Sequence, residues 1–332
     1  MSTAKGSILE IVSRPELAKY HGHYPVRDAE SAAELKAALA SGKTHSSNVL
    51  SLDLTNLANV REIANTINSR VAAGEIPPIR ALVLNAGWQD FGKQSWIETE
   101  LDKMFAAKYL GHWLLALLLL RSMDKDAGRI VVVGSQSHDP YDKRNDPTRA
   151  YPKGMSKTIV EDGARMEAIA KGTWSSAKED PSWPASHRRY GAAKLCLIMM
   201  MHELQQRLDQ DPALNKVCIL GTDLGTMAIG ISRRAPWIIR ALLFQIIFPS
   251  VTWLMPNGNI RPTSRSAADL LWAAFDSDEI LGEFPKDLHF LGRGPFPTSA
   301  ESQDAQNRDV MWKESVRLAD LKEGDTVLTH WS

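Results

Sequence analysis

The sequence predicts an α/β protein, a doubly wound parallel sheet covered by helices on both faces, in a single domain. Three observations carry that expectation. Short apolar runs alternate with longer segments of helical period, the pattern of parallel strands joined by crossover helices. Successive runs end in Asp53, Asn85, Ser135 and Gly225, and in open sheets of this kind the ligand lies beyond the carboxyl ends of the strands. Tyr190 and Lys194 stand four residues apart among good helix formers, a spacing that places both on one helix face.

In chain order, Gly6-Ser7-Ile8-Leu9 reads as a first strand and residues 11–20 as the back of the helix after it. Tyr24-Pro25-Val26 reads as a second strand, followed by Arg27. Val49-Leu50-Ser51-Leu52 is a strand ending at Asp53, and residues 59–73 a helix. Residues 79–84 run into Asn85-Ala86-Gly87, and residues 97–121 form a long apolar helix. Residues 129–133 run into Gly134-Ser135. Residues 136–189, rich in charge, proline and glycine, read as an insertion with one helix at 156–170. Then come a helix at 190–210 and a strand at 216–220 ending near Asp223-Leu224-Gly225-Thr226. The apolar stretch 236–256 is broken by Arg240, Gln245 and Pro249. It is too interrupted to span a bilayer and reads as a helical lid over an apolar pocket, with interfacial membrane contact as the second reading.

Composition narrows the function classes. The chain has 332 residues and zero formal net charge, so no general attraction to nucleic acid is expected. Cys196 and Cys218 lie among apolar neighbours and read as reduced, buried thiols of a cytoplasmic protein. No His/Cys cluster has metal-ligand spacing, and the first residues lack the apolar core of a signal peptide. The partner to expect is a small molecule. The chemistry to expect is proton transfer. A cation beside a phenol favours the phenolate, so Lys194 is expected to lower the Tyr190 pKa from about 10, and a tyrosine so tuned exchanges a proton with a substrate oxygen.

Taken together and in order, these motifs resemble the short-chain dehydrogenase/reductase family over about residues 5–290, in particular fungal-type members of secondary metabolism. Asn85-Ala86-Gly87 resembles the family's sheet-stabilising element, Gly134-Ser135 its serine-bearing strand end, Tyr190 and Lys194 its Tyr-x-x-x-Lys pair, and Asp223-Leu224-Gly225-Thr226 its Pro-Gly turn. The resemblance implies a Rossmann-like sheet, with residues 5–135 as the cofactor half, 190–295 as catalytic helix, last strands and lid, and 296–332 as a C-terminal extension. It implies Tyr190 as general acid/base, Lys194 on the nicotinamide ribose and Ser135 on the same substrate oxygen as Tyr190. Asp53 would meet the adenine, Asn85 the adenosine ribose and Thr226 the nicotinamide amide. A cation at Arg27 suits a 2′-phosphate, hence NADP. A dimer or tetramer is the family's habit.

The sequence also departs from the family. No glycine-rich turn lies between residues 9 and 22 to let a backbone approach the pyrophosphate. Leu224 stands where proline is usual, and Lys108, counted among the cofactor-side residues, where related enzymes carry an asparagine of the proton relay. The stretch from Ser135 to Tyr190 is long. The expected function is therefore an NADP-dependent oxidoreductase acting on a ketone or secondary alcohol of an apolar, polyketide-like molecule. The alternatives are a cofactor-independent dehydratase, cyclase or isomerase on the same scaffold, a non-catalytic relic, and a family member whose loop was lost from the gene reading.

Overall fold

The structure is a computed structural model that describes residues 3–42, 45–225 and 261–332. Thr226 and the expected lid at 236–256 lie outside the described residues. The sheet is mostly parallel and comes in two pieces. Strands β1 (Gly22–Val26) and β2 (Ser47–Ser51) form a parallel pair. Strands β3 (Ala81–Leu84), β4 (Arg129–Val133), β5 (Cys218–Asp223), β6 (His289–Leu291) and β7 (Gly294–Pro295) form a second sheet in that order, antiparallel only at β6–β7.

Alternation along β4 shows why the larger sheet needs cover on both sides, since successive side chains of a strand point to opposite faces. Ile130 and Val132 enter the main core with helices α3 (Leu57–Ala72), α4 (Lys103–Ser122) and α6 (Trp183–Gln210). Val131 and Val133 face α7 (Thr263–Phe275), packing with Leu270, Trp272 and Ala273. Helix α4 is long and apolar enough to cross a membrane, yet it lies inside the protein as a core helix. The C-terminal helix α8 (Ala305–Leu318) is part of this core rather than an appendage: Met311 and Trp312 are fully buried in it, and Tyr109 shares a hydrogen bond with Ser315. Both cysteines are free and buried.

The first strand expected at 6–9 is instead part of a helix, α1 (Thr3–Ser13). Its Ile8 and Val12, one turn apart, pack with Leu35 and Leu39 of α2 (Ala33–Ala40), and an i, i+4 apolar pair is a helical signal. Without a glycine turn, too little chain remains before β1 for a strand plus a parallel crossover. No strand therefore joins β1 and β2 to the larger sheet among the described residues, and β3 is that sheet's edge.

Three helix starts also differ from expectation, each set by a capping side chain. Asp102 accepts from the backbone N–H groups of Met104 and Phe105, so α4 begins at Lys103 rather than 97. Asp162 accepts from the Arg165 N–H and starts α5 (Gly163–Ala170), so 156–162 is not helical. Ser182 caps α6 through the Ala185 N–H, with Pro184 in the first turn, so that helix starts before Arg189. Strand β5 starts and ends later than 216–220, because its pairing to β6 continues to Asp223.

Candidate active site

The site is assembled where α6 crosses the carboxyl end of β4. Gly191 makes the crossing possible: a Cβ there would collide with the Ser137 carbonyl oxygen. The close approach brings Tyr190 to Ser135, the first residue of the turn after Gly134. The Ser135 hydroxyl oxygen accepts from the Ser137 hydroxyl at 2.9 Å. One turn along α6, Lys194 donates to the Val133 carbonyl at 2.6 Å. On the N-terminal side, Arg189 is locked into a buried pair with Asp90, with side chains 4% and 1% exposed. His187, within α6, stacks on Tyr190 at 6.0 Å between ring centroids.

The electrostatics overturn one expectation. Burial pushes the Tyr190 phenol up to about 12; hydrogen bonding to Ser135 pulls it partly back and the Asp223 carboxylate raises it further. Lys194 does not lower it. Burial pulls Lys194 itself down to about 8, against the Asp223 carboxylate. Four-residue spacing gives proximity, but in a dry site the cost of desolvating either charge exceeds their mutual gain. The Tyr190 phenol is therefore protonated at neutral pH, and Lys194 is a cation close to its titration point. The sign of the pH effect follows: raising pH through about 8 removes the Lys194 charge. A rate that draws on that charge should fall above this pH in a pH–kcat profile. Lys194→Arg, whose guanidinium stays protonated, should flatten that limb.

Lys108, expected on the cofactor side, lies against the Tyr190 ring instead. It lies mid-way through a π-helical turn, Ala106–Leu110, in α4; such turns interrupt helices at functional positions. The side chain is buried, at 1% exposure, with Nζ 3.8 Å from the centroid of the Tyr190 ring. A Cβ on Gly87 would stand 2.8 Å from that nitrogen, so the glycine leaves room for the amine. Burial holds Lys108 well below the usual lysine range, and the Lys194 charge lowers it further. A cation–π contact contributes about 0.5–2 kcal/mol, whereas desolvating an ammonium costs several kcal/mol, so the contact with the Tyr190 ring offsets only part of the burial that lowers Lys108.

Two groups were not legible as site residues. Asp223, at the end of β5, influences both Tyr190 and Lys194. Arg144, from the 136–189 segment, reaches back to Asp223 at 3.2 Å while also pairing with Asp142. Of the remaining expected residues, Asn85 adjoins the cluster through its neighbours Ala86 and Gly87, and Arg27 and Asp53 belong to the small sheet. Asn85 follows β3, half-buried, beside Ala86, whose carbonyl bonds the His112 ring. Arg27 is exposed at the carboxyl end of β1, and Asp53 follows β2 with Oδ1 accepting from the Thr55 N–H and hydroxyl.

A family model described as short chain dehydrogenase matches residues 16–143. A short-chain dehydrogenase, iccH, from Talaromyces variabilis is 39% identical, with 98% of this chain and 94% of the relative covered. The chain belongs to the short-chain dehydrogenase/reductase family. A polyprenol dehydrogenase from Mus musculus is 25% identical over 92% of this chain and 77% of its own. Among solved structures, an uncharacterized protein from Mycobacterium paratuberculosis superposes with a TM-score of 0.60 at 20% identity, covering 95% of this chain and 90% of its own. The reductase LugOII superposes at 0.54 and 12% identity, covering 88% and 92%. These structures support the fold.

For a family member, the match to a nicotinamide dinucleotide is uneven. Lys194, Tyr190 and Ser135 suit the nicotinamide end, and Arg27 and Asp53 share the carboxyl edge of the small sheet. The diphosphate end does not fit: helix α1 and its turn into Pro15–Leu17 stand where a glycine-rich strand-to-helix turn is needed.

Proposed function

We propose that this chain acts on a ketone or secondary alcohol of an apolar, polyketide-like small molecule, with Ser135 and Tyr190 meeting the reacting oxygen, in the oxidoreductase sense of its family. The observation that carries the reading is the Ser135–Tyr190 pair at the end of β4, with Lys194 tied beneath it to the Val133 carbonyl. A phenol held protonated to about 12 can give its proton to an oxygen that is gaining negative charge, the transfer that ketone reduction requires. Ser135 steadies the same oxygen, and the Lys194 ammonium stabilises the phenolate left behind. The polyprenol dehydrogenase among the relatives is named for an apolar alcohol, in keeping with an apolar substrate.

NADP is the hydride partner this reading asks for, with Arg27, Asp53, Asn85, Lys194 and Thr226 as its contacts. The poor fit at the diphosphate sets its affinity. Each missing charge-assisted hydrogen bond forfeits roughly 1.5–3 kcal/mol, and each ~1.4 kcal/mol is tenfold in Kd. The alignment to the Talaromyces relative, at 345 positions, is longer than this 332-residue chain, so that relative carries residues with no counterpart here. Titration of the purified chain with NADPH tests the reading. Saturable binding below millimolar supports it, and no saturation at millimolar NADPH removes hydride chemistry.

The lack of a diphosphate cradle favours one second reading: cofactor-free dehydration, cyclisation or isomerisation beside a carbonyl, by the same hydroxyl pair. Turnover of a β-hydroxy ketone without nucleotide distinguishes it.

A further inference from the structure

We propose that the Lys108 amine forms a covalent imine with a carbonyl substrate held at Ser135 and Tyr190, giving the site an amine-catalysed activity on β-dicarbonyl or β-hydroxy ketone compounds. The proposal shares the carbonyl site of the preceding section and needs no dinucleotide. Four features of the fold converge on it. The π-helical turn at Ala106–Leu110 carries Lys108 in a buried position. Among the described residues, Lys108 has neither a carboxylate partner nor a hydrogen-bond acceptor; its neighbours are the Tyr190 ring and the open backbone at Gly87. Lys194, by contrast, is engaged by the Val133 carbonyl. Burial and the Lys194 charge both disfavour the ammonium form of Lys108, the condition that turns a lysine into a nucleophile.

The step balances without a redox partner. The Nζ lone pair forms a C–N bond at the carbonyl carbon, and the carbonyl oxygen becomes the hydroxyl of a carbinolamine. Tyr190 protonates that hydroxyl, the C–O bond breaks, and water leaves. The product is an iminium ion beside a Tyr190 phenolate. The iminium draws electrons from the adjacent carbon, and the phenolate takes a proton from it, giving an enamine and restoring the phenol. The Tyr190 phenol then protonates the β-hydroxyl, which departs as water and leaves a conjugated iminium beside a Tyr190 phenolate. Water hydrolyses the C–N linkage, returning the Lys108 amine and the unsaturated carbonyl product, and the proton released goes back to the Tyr190 phenolate.

The test uses 2,4-pentanedione, which condenses with a neutral amine to a conjugated enaminone absorbing in the near ultraviolet. The purified full chain is incubated with it at neutral pH without nucleotide, and the adduct is located by peptide mass. The expected result is one adduct, on Lys108, absent from Lys108→Met and Lys108→Arg. In Tyr190→Phe it should form at least tenfold more slowly. Circular dichroism of each variant shows that the fold persists. A silent absorbance, an adduct on Lys194, or labelling spread over exposed lysines would overturn the proposal. None of those outcomes bears on NADPH binding, so the two readings stand or fall separately.

Discussion

Tyr190→Phe is expected to lower kcat on a ketone substrate by about 10²–10⁴-fold, the range by which a positioned proton donor accelerates a reaction. The ring, its stacking on His187 and the Lys108 contact all remain; only the hydroxyl opposite Ser135 is lost. Thermal stability should therefore change little while turnover collapses. Steady-state kinetics alongside a melting curve checks both halves. A variant that keeps more than about a tenth of wild-type kcat would falsify the assignment of Tyr190 as the donor.

The second large effect is structural. Asp90→Ala is expected to destabilise the protein by about 3–5 kcal/mol, the range for breaking one side of a buried ion pair. Arg189 donates to both Asp90 oxygens, at 3.0 and 2.9 Å through Nη2, and to the Ser175 carbonyl. Removing the carboxylate leaves a guanidinium buried with a single carbonyl acceptor. Urea unfolding should show the midpoint fall, and Asp90→Ala/Arg189→Met should recover much of the loss because no uncompensated charge remains. Since Arg189 directly precedes Tyr190, the single variant should also lose activity below its unfolding transition.

Much of the architecture could be read from the residues alone. The strands β2 to β4 end one or two residues before the Asp53, Asn85 and Ser135 that marked them, and Tyr190 and Lys194 do share α6. Helix starts were legible in principle through Asp102, Asp162 and Ser182, but apolar periodicity outweighed these single caps. The first segment failed for a different reason. A short apolar run suits strand or helix, and the Ile8–Val12 spacing decided it only because α2 offers a face to pack against. The Asp223–Arg144 and Asp90–Arg189 pairs bring together residues 79 and 99 positions apart, which no local pattern announces. The direction of the Tyr190 shift is not legible in the sequence, because spacing reports distance and says nothing of how much water the fold excludes.

The break in the sheet has a consequence for cooperativity. Strands β1 and β2, with α1 and α2, have a small core around Ile8, Leu35, Ala38 and Leu39, and among the described residues no ladder hydrogen bond ties them to β3; what joins them to the rest is side-chain packing, α1 against α7 and the Tyr20 ring 5.2 Å from that of Phe275. Proteins open in contiguous units of unequal stability, and here the seam falls between two groups of residues. Arg27 and Asp53 draw their rigidity from the smaller unit, whereas Ser135, Lys108, Tyr190 and Lys194 draw theirs from the larger. A ligand long enough to touch both would reinforce the α1–α7 packing that already joins them. Its binding energy would be spent partly on fastening the two units together.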